Sequence, residues 1–171
     1  MPTLAPISKE FVIKDGPGLS ADDPIVVAFR QATEGSNIER EELLTRKLSR
    51  DWEENKDELS MPNQLRRRAV EVFLTVKALN VVDEKGKELI KFKKGRPDYP
   101  TFNAFEKVWG EMPPDWAISV HLCCLATNPS WAGDWYGLSG DITIDQLRQI
   151  SPILDKIMTE GNEDGGEESQ E

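Results

Sequence analysis

His121, Cys123 and Cys124 put the only histidine and the only two cysteines of the chain within four positions. Such a group could bind a metal or activate a thiol. A structural zinc site needs four ligands, with its cysteines commonly spaced as Cys-x₂₋₄-Cys. These cysteines are adjacent, and neighbours on a helix point about 100° apart. That leaves His121 and Cys124, at i,i+3, as two ligands at most. The same divergence disfavours a disulfide between them. A nucleophilic cysteine needs a nearby base and a lowered thiol pKa, and no cationic or oxyanion feature accompanies the pair. The simpler reading is two buried thiols acting as small hydrophobes, which suits a reducing cytoplasm. The expectation is therefore no catalytic residue, no metal and no cofactor.

The other candidates reduce in the same way. Gly16-Pro17-Gly18 lacks the Gly-Lys-Ser/Thr of a phosphate loop, and nothing reads as a dinucleotide fingerprint. Asp22-Asp23 and Asp83-Glu84 are carboxylate pairs in turns, where aspartate serves backbone geometry. Neither has the spacing of a calcium loop. Arg66-Arg67-Arg68 opposes the dipole at the start of a helix. Its simplest role is ion pairing with an acidic surface, and an anion site is the alternative.

The elements that would position these residues are mostly helical. Phe102, Phe105, Val108 and Trp109 line one face of a short helix capped by Thr101 and ended by Gly110. Pro113-Pro114 opens the next helix, with Trp116, Val120, Cys123 and Cys124 on one side and Asn128-Pro129 as its stop. Together they suggest an αα-hairpin whose rings the rest of the chain must cover. Upstream, Phe11-Val12-Ile13 and residues 25–29 read as two short strands around an Asp-Gly-Pro-Gly turn, after a loose arm over residues 1–8. Asn37 can cap a helix over residues 37–55. That helix has a narrow apolar stripe, Leu44, Leu48 and Trp52, and charged residues including Arg40 on its solvated faces. Residues 62–79 carry the clearest amphipathic pattern: Leu65, Ala69, Val72, Phe73, Val76 and Leu79. Val81-Val82 and residues 89–92 flank Asp83-Glu84-Lys85-Gly86 as a second hairpin. A basic loop follows over residues 93–97. Residues 132–140 read as an aromatic loop, with Trp135 and Tyr136 folding back on the core, and a last helical pattern spans residues 142–158. The expected fold class is mainly α with small β-hairpins (α+β). It is a compact helical domain over residues 1–159 with an N-terminal β-like segment, followed by a disordered acidic tail over residues 160–171.

Bulk properties narrow the function classes. The chain has 171 residues, 38% hydrophobic and 30% charged, with a formal net charge of −10. An acidic protein is a poor binder of phosphate backbones, so no nucleic-acid partner is expected. No apolar run approaches the ~20 residues that span a bilayer, so no membrane is expected either. The N-terminus lacks the basic start and apolar run of a signal peptide.

Three stretches, in this order, carry a family resemblance: VAFRQATE (27–34), VFLTVKALNVVDEKGKELIKFKKGRP (72–97) and FEKVWGEMPPDWAISVHLCCLATNPSW (105–131). The pattern is a Phe-Arg-Gln-Ala-Thr start and a Val-Phe-Leu-Thr helix running into an Asp-x-x-Gly hairpin. A Phe-x-x-x-Trp segment, Pro-Pro and a helix ending Asn-Pro-x-Trp follow. It resembles the tail assembly chaperones of long-tailed, siphovirus-type bacteriophages. The resemblance implies a non-enzymatic protein of the host cytoplasm that coats the tape-measure protein and keeps it soluble while tail-tube subunits polymerise. It names the tape-measure protein, and after it the tail-tube protein, as partners, and leaves homo-oligomerisation open. The stripe Leu44, Leu48 and Trp52 is the candidate client-binding surface. Two rivals remain at this level, another phage structural or connector protein and a small cysteine-dependent enzyme. The aromatic loop and the acidic tail lie outside the resemblance.

Overall fold

The computed structural model describes residues 7–54 and 60–136, without side chains at 46–63 and 133–136. Among the described residues the expected α+β class holds: five helices and small antiparallel sheets. Strands β1 (Ser8–Ile13), β2 (Ile25–Arg30) and β3 (Val76–Leu79) form one antiparallel sheet in that order. Ser8 belongs to β1, not to a loose arm. Phe11 pairs with Val27 and Ile13 with Ile25, and all four are buried on the inner face. This alternation is the period-2 pattern of a half-buried sheet. The register shifts between Ala28 and Phe29, so that Val27 faces Leu79 while Phe29 faces Val76. Both strands thereby keep their large side chains inward.

Helices α1 (Glu34–Glu54) and α2 (Ser60–Thr75) follow β2. Helix α1 starts before Asn37. Thr33 and Ser36 exchange side-chain to backbone hydrogen bonds at 3.2 Å, satisfying the orphan N–H groups of the first turn. Asn37 instead accepts a hydrogen bond from the Trp131 indole at 2.8 Å. Helix α2 stops at Thr75, four residues earlier than its apolar pattern suggests. Val76 and Leu79 are buried either way, because a spacing of three fits both a helix and the end of a strand. The edge of β2 decides the outcome by offering ladder hydrogen bonds that a longer helix would leave unmade. Arg30, at the end of β2, donates to the carbonyl of Leu74 in the last helical turn, where a cation is favoured by the dipole.

The expected hairpin around Asp83 is reduced to one bridge, Val82 to Glu88. Its turn is held by Asp83, whose Oδ1 accepts from the backbone of Lys85 and Lys87. The true hairpin comes next, where the sequence suggested a basic loop: β4 (Phe92–Lys93) and β5 (Arg96–Pro97).

Helices α3 (Phe102–Trp109), α4 (Pro114–Thr127) and α5 (Pro129–Tyr136) complete the described chain. Thr101 caps α3 by accepting from Ala104 N, as its position suggests. Phe73, Phe102, Phe105 and Trp109 form a chain of ring contacts at 5.0–6.4 Å, with Tyr99 on its edge. The shared floor of α3 and α4 is α2, so the core is wider than a two-helix hairpin. Every residue from Ser119 to Thr127 is buried. Helix α4 is thus enclosed rather than one-sided. Trp116 is half-buried, and its indole donates to the carbonyl of Pro17 at 2.9 Å, pinning the β1–β2 loop. Asn128 ends α4 and is itself buried; it accepts from Ala32 N at 2.6 Å and donates to the carbonyls of Arg30 and Cys124. The segment expected to be an aromatic loop is helical as far as Tyr136. The expected helix over 142–158 and the acidic tail lie outside the described residues.

Trp109 sits where α3 closes on this core. Truncating a buried aromatic to alanine typically removes ~3–5 kcal/mol, a large part of the ~5–15 kcal/mol that holds such a domain together. Trp109→Ala should therefore lower the thermal midpoint drastically or abolish folding. A variant that melts like the wild type would move Trp109 out of the core.

Candidate functional site

Two features stand apart from ordinary core packing, a buried ionic cluster and an open cleft beside it. The cluster is centred on Glu71 of α2, whose side chain is fully buried between Val70 and Val72. Arg40 of α1 donates to its Oε1 through Nε at 2.9 Å and Nη2 at 2.7 Å. His121 Nε2 lies 2.6 Å from its Oε2. The Arg40 guanidinium also lies 5.2 Å over the Trp131 ring. Arg40 is buried, a correction to its expected place on a solvated face. The signal was present, since Arg40 stands four residues before Leu44 on the same apolar stripe.

His121 is held neutral. Burial pushes its pKa down; the Glu71 carboxylate acts the other way, and Arg68 and Arg40 add repulsion. A neutral ring uses Nε2–H to donate to Glu71. Both thiols resist ionisation. Burial pushes the Cys123 thiol well up. Burial and then the Glu71 carboxylate do the same for Cys124, which contacts Thr75 Oγ1 at 3.3 Å. A thiol that resists ionisation in a closed core is a poor nucleophile, which tells against the cysteine-enzyme reading. Among the described residues no cluster of three or more histidine, cysteine or acidic side chains could hold a metal.

The cleft has a volume of about 410 Å³ and lies between α2, α3 and the start of α4. Trp109, Met112 and Ala117 supply apolar walls, and Leu65, 61% exposed, stands at the mouth. Arg66 and Glu106 form a rim, paired at 2.9 Å, with the Arg66 guanidinium 4.8 Å over the Phe102 ring. Arg68 also lines the cleft, and burial lowers its pKa while the Glu71 carboxylate offsets part of that. Apolar walls with a few charges at the edge suit the insertion of one or two apolar side chains from a partner. The arginine run is thus partly explained as the sequence suggests, by an ion pair, and partly by the cleft. Leu65 was expected on the buried face and lies outside it.

The stripe on α1 fares differently. Leu44 is 8% exposed and belongs to the core, so it is not a surface anchor. The side chains of Leu48 and Trp52 lie outside the described residues. Leu65 is the better-placed apolar group, and Trp109 and Met112, themselves core residues, wall the cleft behind it. The sequence marked Trp109 and Leu65 only as core, because periodicity cannot tell a buried face from the wall of a cleft.

In comparison with known proteins, no family model matches the chain, and no curated protein or solved structure matches it.

The ionic cluster generates two expectations. Arg40→Met leaves Glu71 buried without its main cation and should cost ~3–5 kcal/mol, whereas Arg40→Met/Glu71→Met should recover much of that loss. A double variant less stable than the single one would sink this account. The second concerns pH. A histidine whose folded pKa is lowered stabilises the fold above its unfolded value of ~6.5. That contribution is lost as pH falls from there, because the unfolded chain takes up the proton first. Urea midpoints should decline between about pH 7 and pH 5.5 and flatten in His121→Gln, which keeps a donor and removes the titration. Equal slopes in both proteins would assign the pH effect elsewhere.

Proposed function

We propose that the chain is a non-enzymatic tail assembly chaperone of the kind made by long-tailed bacteriophages. It holds an amphipathic segment of the tape-measure protein in solution, in the host cytoplasm, until tail-tube subunits assemble on it. The observation that carries this reading is the ordered set of three motifs over residues 27–34, 72–97 and 105–131. Trp109, Gly110, Met112, Pro114 and Ala117, which wall the cleft, all belong to the third motif. A chaperone for a long client needs an apolar recess for anchoring side chains, charge at its rim and overall solubility. The cleft supplies the first two and the net charge of −10 the third. In this reading the cleft replaces the α1 stripe as the client surface.

Leu65 provides the test, because it is exposed and its substitution leaves the core intact. Co-expression with the tape-measure protein of the same genome should raise that protein's soluble yield. Leu65→Asp should remove the gain while the variant melts like the wild type. Unchanged tape-measure solubility with the wild-type chain would end the chaperone reading. A Leu65→Asp variant that still solubilises the client would end the assignment to this cleft.

A further inference from the structure

The β4–β5 hairpin concentrates positive charge in an acidic chain. Lys93, Lys94 and Arg96 are exposed on it, and Asp98 at its base is the nearest acidic residue in sequence. Lys77 of β3 reaches the hairpin tip, its Cε 3.8 Å from where a Cβ would stand on Gly95. Arg30 donates to the Gly95 carbonyl at 3.4 Å. Among the described residues, no carboxylate forms an ion pair with Lys77, Lys93, Lys94 or Arg96. The cations also crowd one another. Burial first, and repulsion from Arg96 second, lower the pKa of Arg30, with Glu39 offsetting part.

The turn gives no reason for a lysine at its tip. Lys94 and Gly95 have φ of 53° and 69°, the left-handed pair of a type I′ turn. Asn-Gly fits that geometry with less strain than Lys-Gly. Lys94 is the only non-glycine with positive φ among the described residues. Its charge is the property the turn does not account for.

The complementary charge lies in the same chain. Residues 160–171 contain six carboxylates and no cation. We propose that this acidic C-terminal segment docks on the β4–β5 hairpin of its own chain, its carboxylates against Lys77, Lys93, Lys94 and Arg96. The tether suffices. Extended, residues 137–159 reach about 76 Å at about 3.3 Å each, and about 45 Å with the helix that the sequence suggests over 142–158, against a radius of gyration of about 14 Å for a domain of this size. Tethering of this kind gives effective concentrations of about millimolar. Contacts between exposed charges, each weak on its own, then suffice for docking, and they remain sensitive to salt. Such a tail screens the hairpin from other anions until a stronger polyanion displaces it.

Carbodiimide coupling joins a carboxylate to a lysine amine only where the two meet, and it reads this contact in the full chain. An equal mixture of ¹⁴N- and ¹⁵N-labelled protein distinguishes contacts within one chain from contacts between copies. At about 0.01 M salt, where the Debye length is about 30 Å, peptides linking Lys77, Lys93 or Lys94 to Glu163, Asp164, Glu167 or Glu168 should dominate within single isotopic chains. Their yield should fall about tenfold at about 1 M salt, where that length is about 3 Å. Lys93→Glu/Lys94→Glu should abolish them without changing the melting curve. Tail couplings spread evenly over Lys14, Lys85 and Lys107, mixed-isotope couplings in excess, or no coupling of the tail would each overturn the proposal. So would a single-stranded oligonucleotide binding equally well to the full chain and to one truncated after Thr159, because the hairpin cations would then be open to any polyanion.

Discussion

A carboxylate with no access to water decides how three helices meet. Leaving Glu71 unpaired in the core would cost several kcal/mol, so neighbouring elements must bring donors to it. Arg40 binds one oxygen twice from α1, and His121 reaches the other from α4. Apolar packing tolerates small rotations of a helix; hydrogen bonds at 2.6–2.9 Å from two sides do not. Burial settles the state of His121 against the pull of the Glu71 carboxylate, with smaller repulsion from Arg68 and Arg40, so the ring stays neutral and donates.

The consequences spread from that point along each helix. On α1, Arg40 stacks on Trp131 while Asn37 takes the indole proton of the same ring, so α1 also holds α5. On α2, Thr75 bonds back to the Glu71 carbonyl at 2.7 Å and touches Cys124. One residue later the chain leaves the helix and enters the sheet. On α4, Asn128 ties the end of the helix to the end of β2, accepting from Ala32 N and donating to the carbonyl of Arg30, while it also donates to the carbonyl of Cys124 in its own helix. A buried amide with its polar atoms satisfied fixes geometry as the ionic cluster does. The sheet and the helices are therefore joined through polar contacts at both ends of α4, with the apolar core between them.

The sequence made the helical ends legible where chemistry is local. Thr101, Gly110, Pro113-Pro114 and Asn128-Pro129 each act within a turn of their own position, and each marks a boundary that the structure keeps. It was silent where the deciding partner is far away. Val76 and Leu79 fit a helix until β2 offers its edge. Lys93-Lys94-Gly95-Arg96 read as a loop because the hairpin is only two residues deep on each side. Arg40 read as a surface charge because its partner lies 31 positions away. Glu71 shows what could have been asked. A lone acidic residue inside Ala69-Val70-Glu71-Val72 needs a cation, and Arg40 was the arginine already standing on an apolar stripe. The cleft was not legible, since Trp109 and Met112 serve a core and a recess with the same composition.

Net charge is a poor guide to a chain whose charges are segregated. The value of −10 argues against polyanion binding only if the carboxylates are spread over the surface. Here six of them sit in the last twelve residues. Two groups of cations, by contrast, stand out on the described body. At the cleft, Arg66 is already answered by Glu106, and the cations there frame an apolar recess. At the hairpin no ion pair answers Lys77, Lys93, Lys94 or Arg96 among the described residues, and Arg96 crowds Arg30 with Glu39 offsetting part. Fields of this kind act over about 10 Å at 0.1 M salt. Under the proposed function, the cleft would select by shape, with an apolar side chain seated against Trp109 and Leu65. The proposed tail contact at the hairpin rests on charge, which the six carboxylates of residues 160–171 supply.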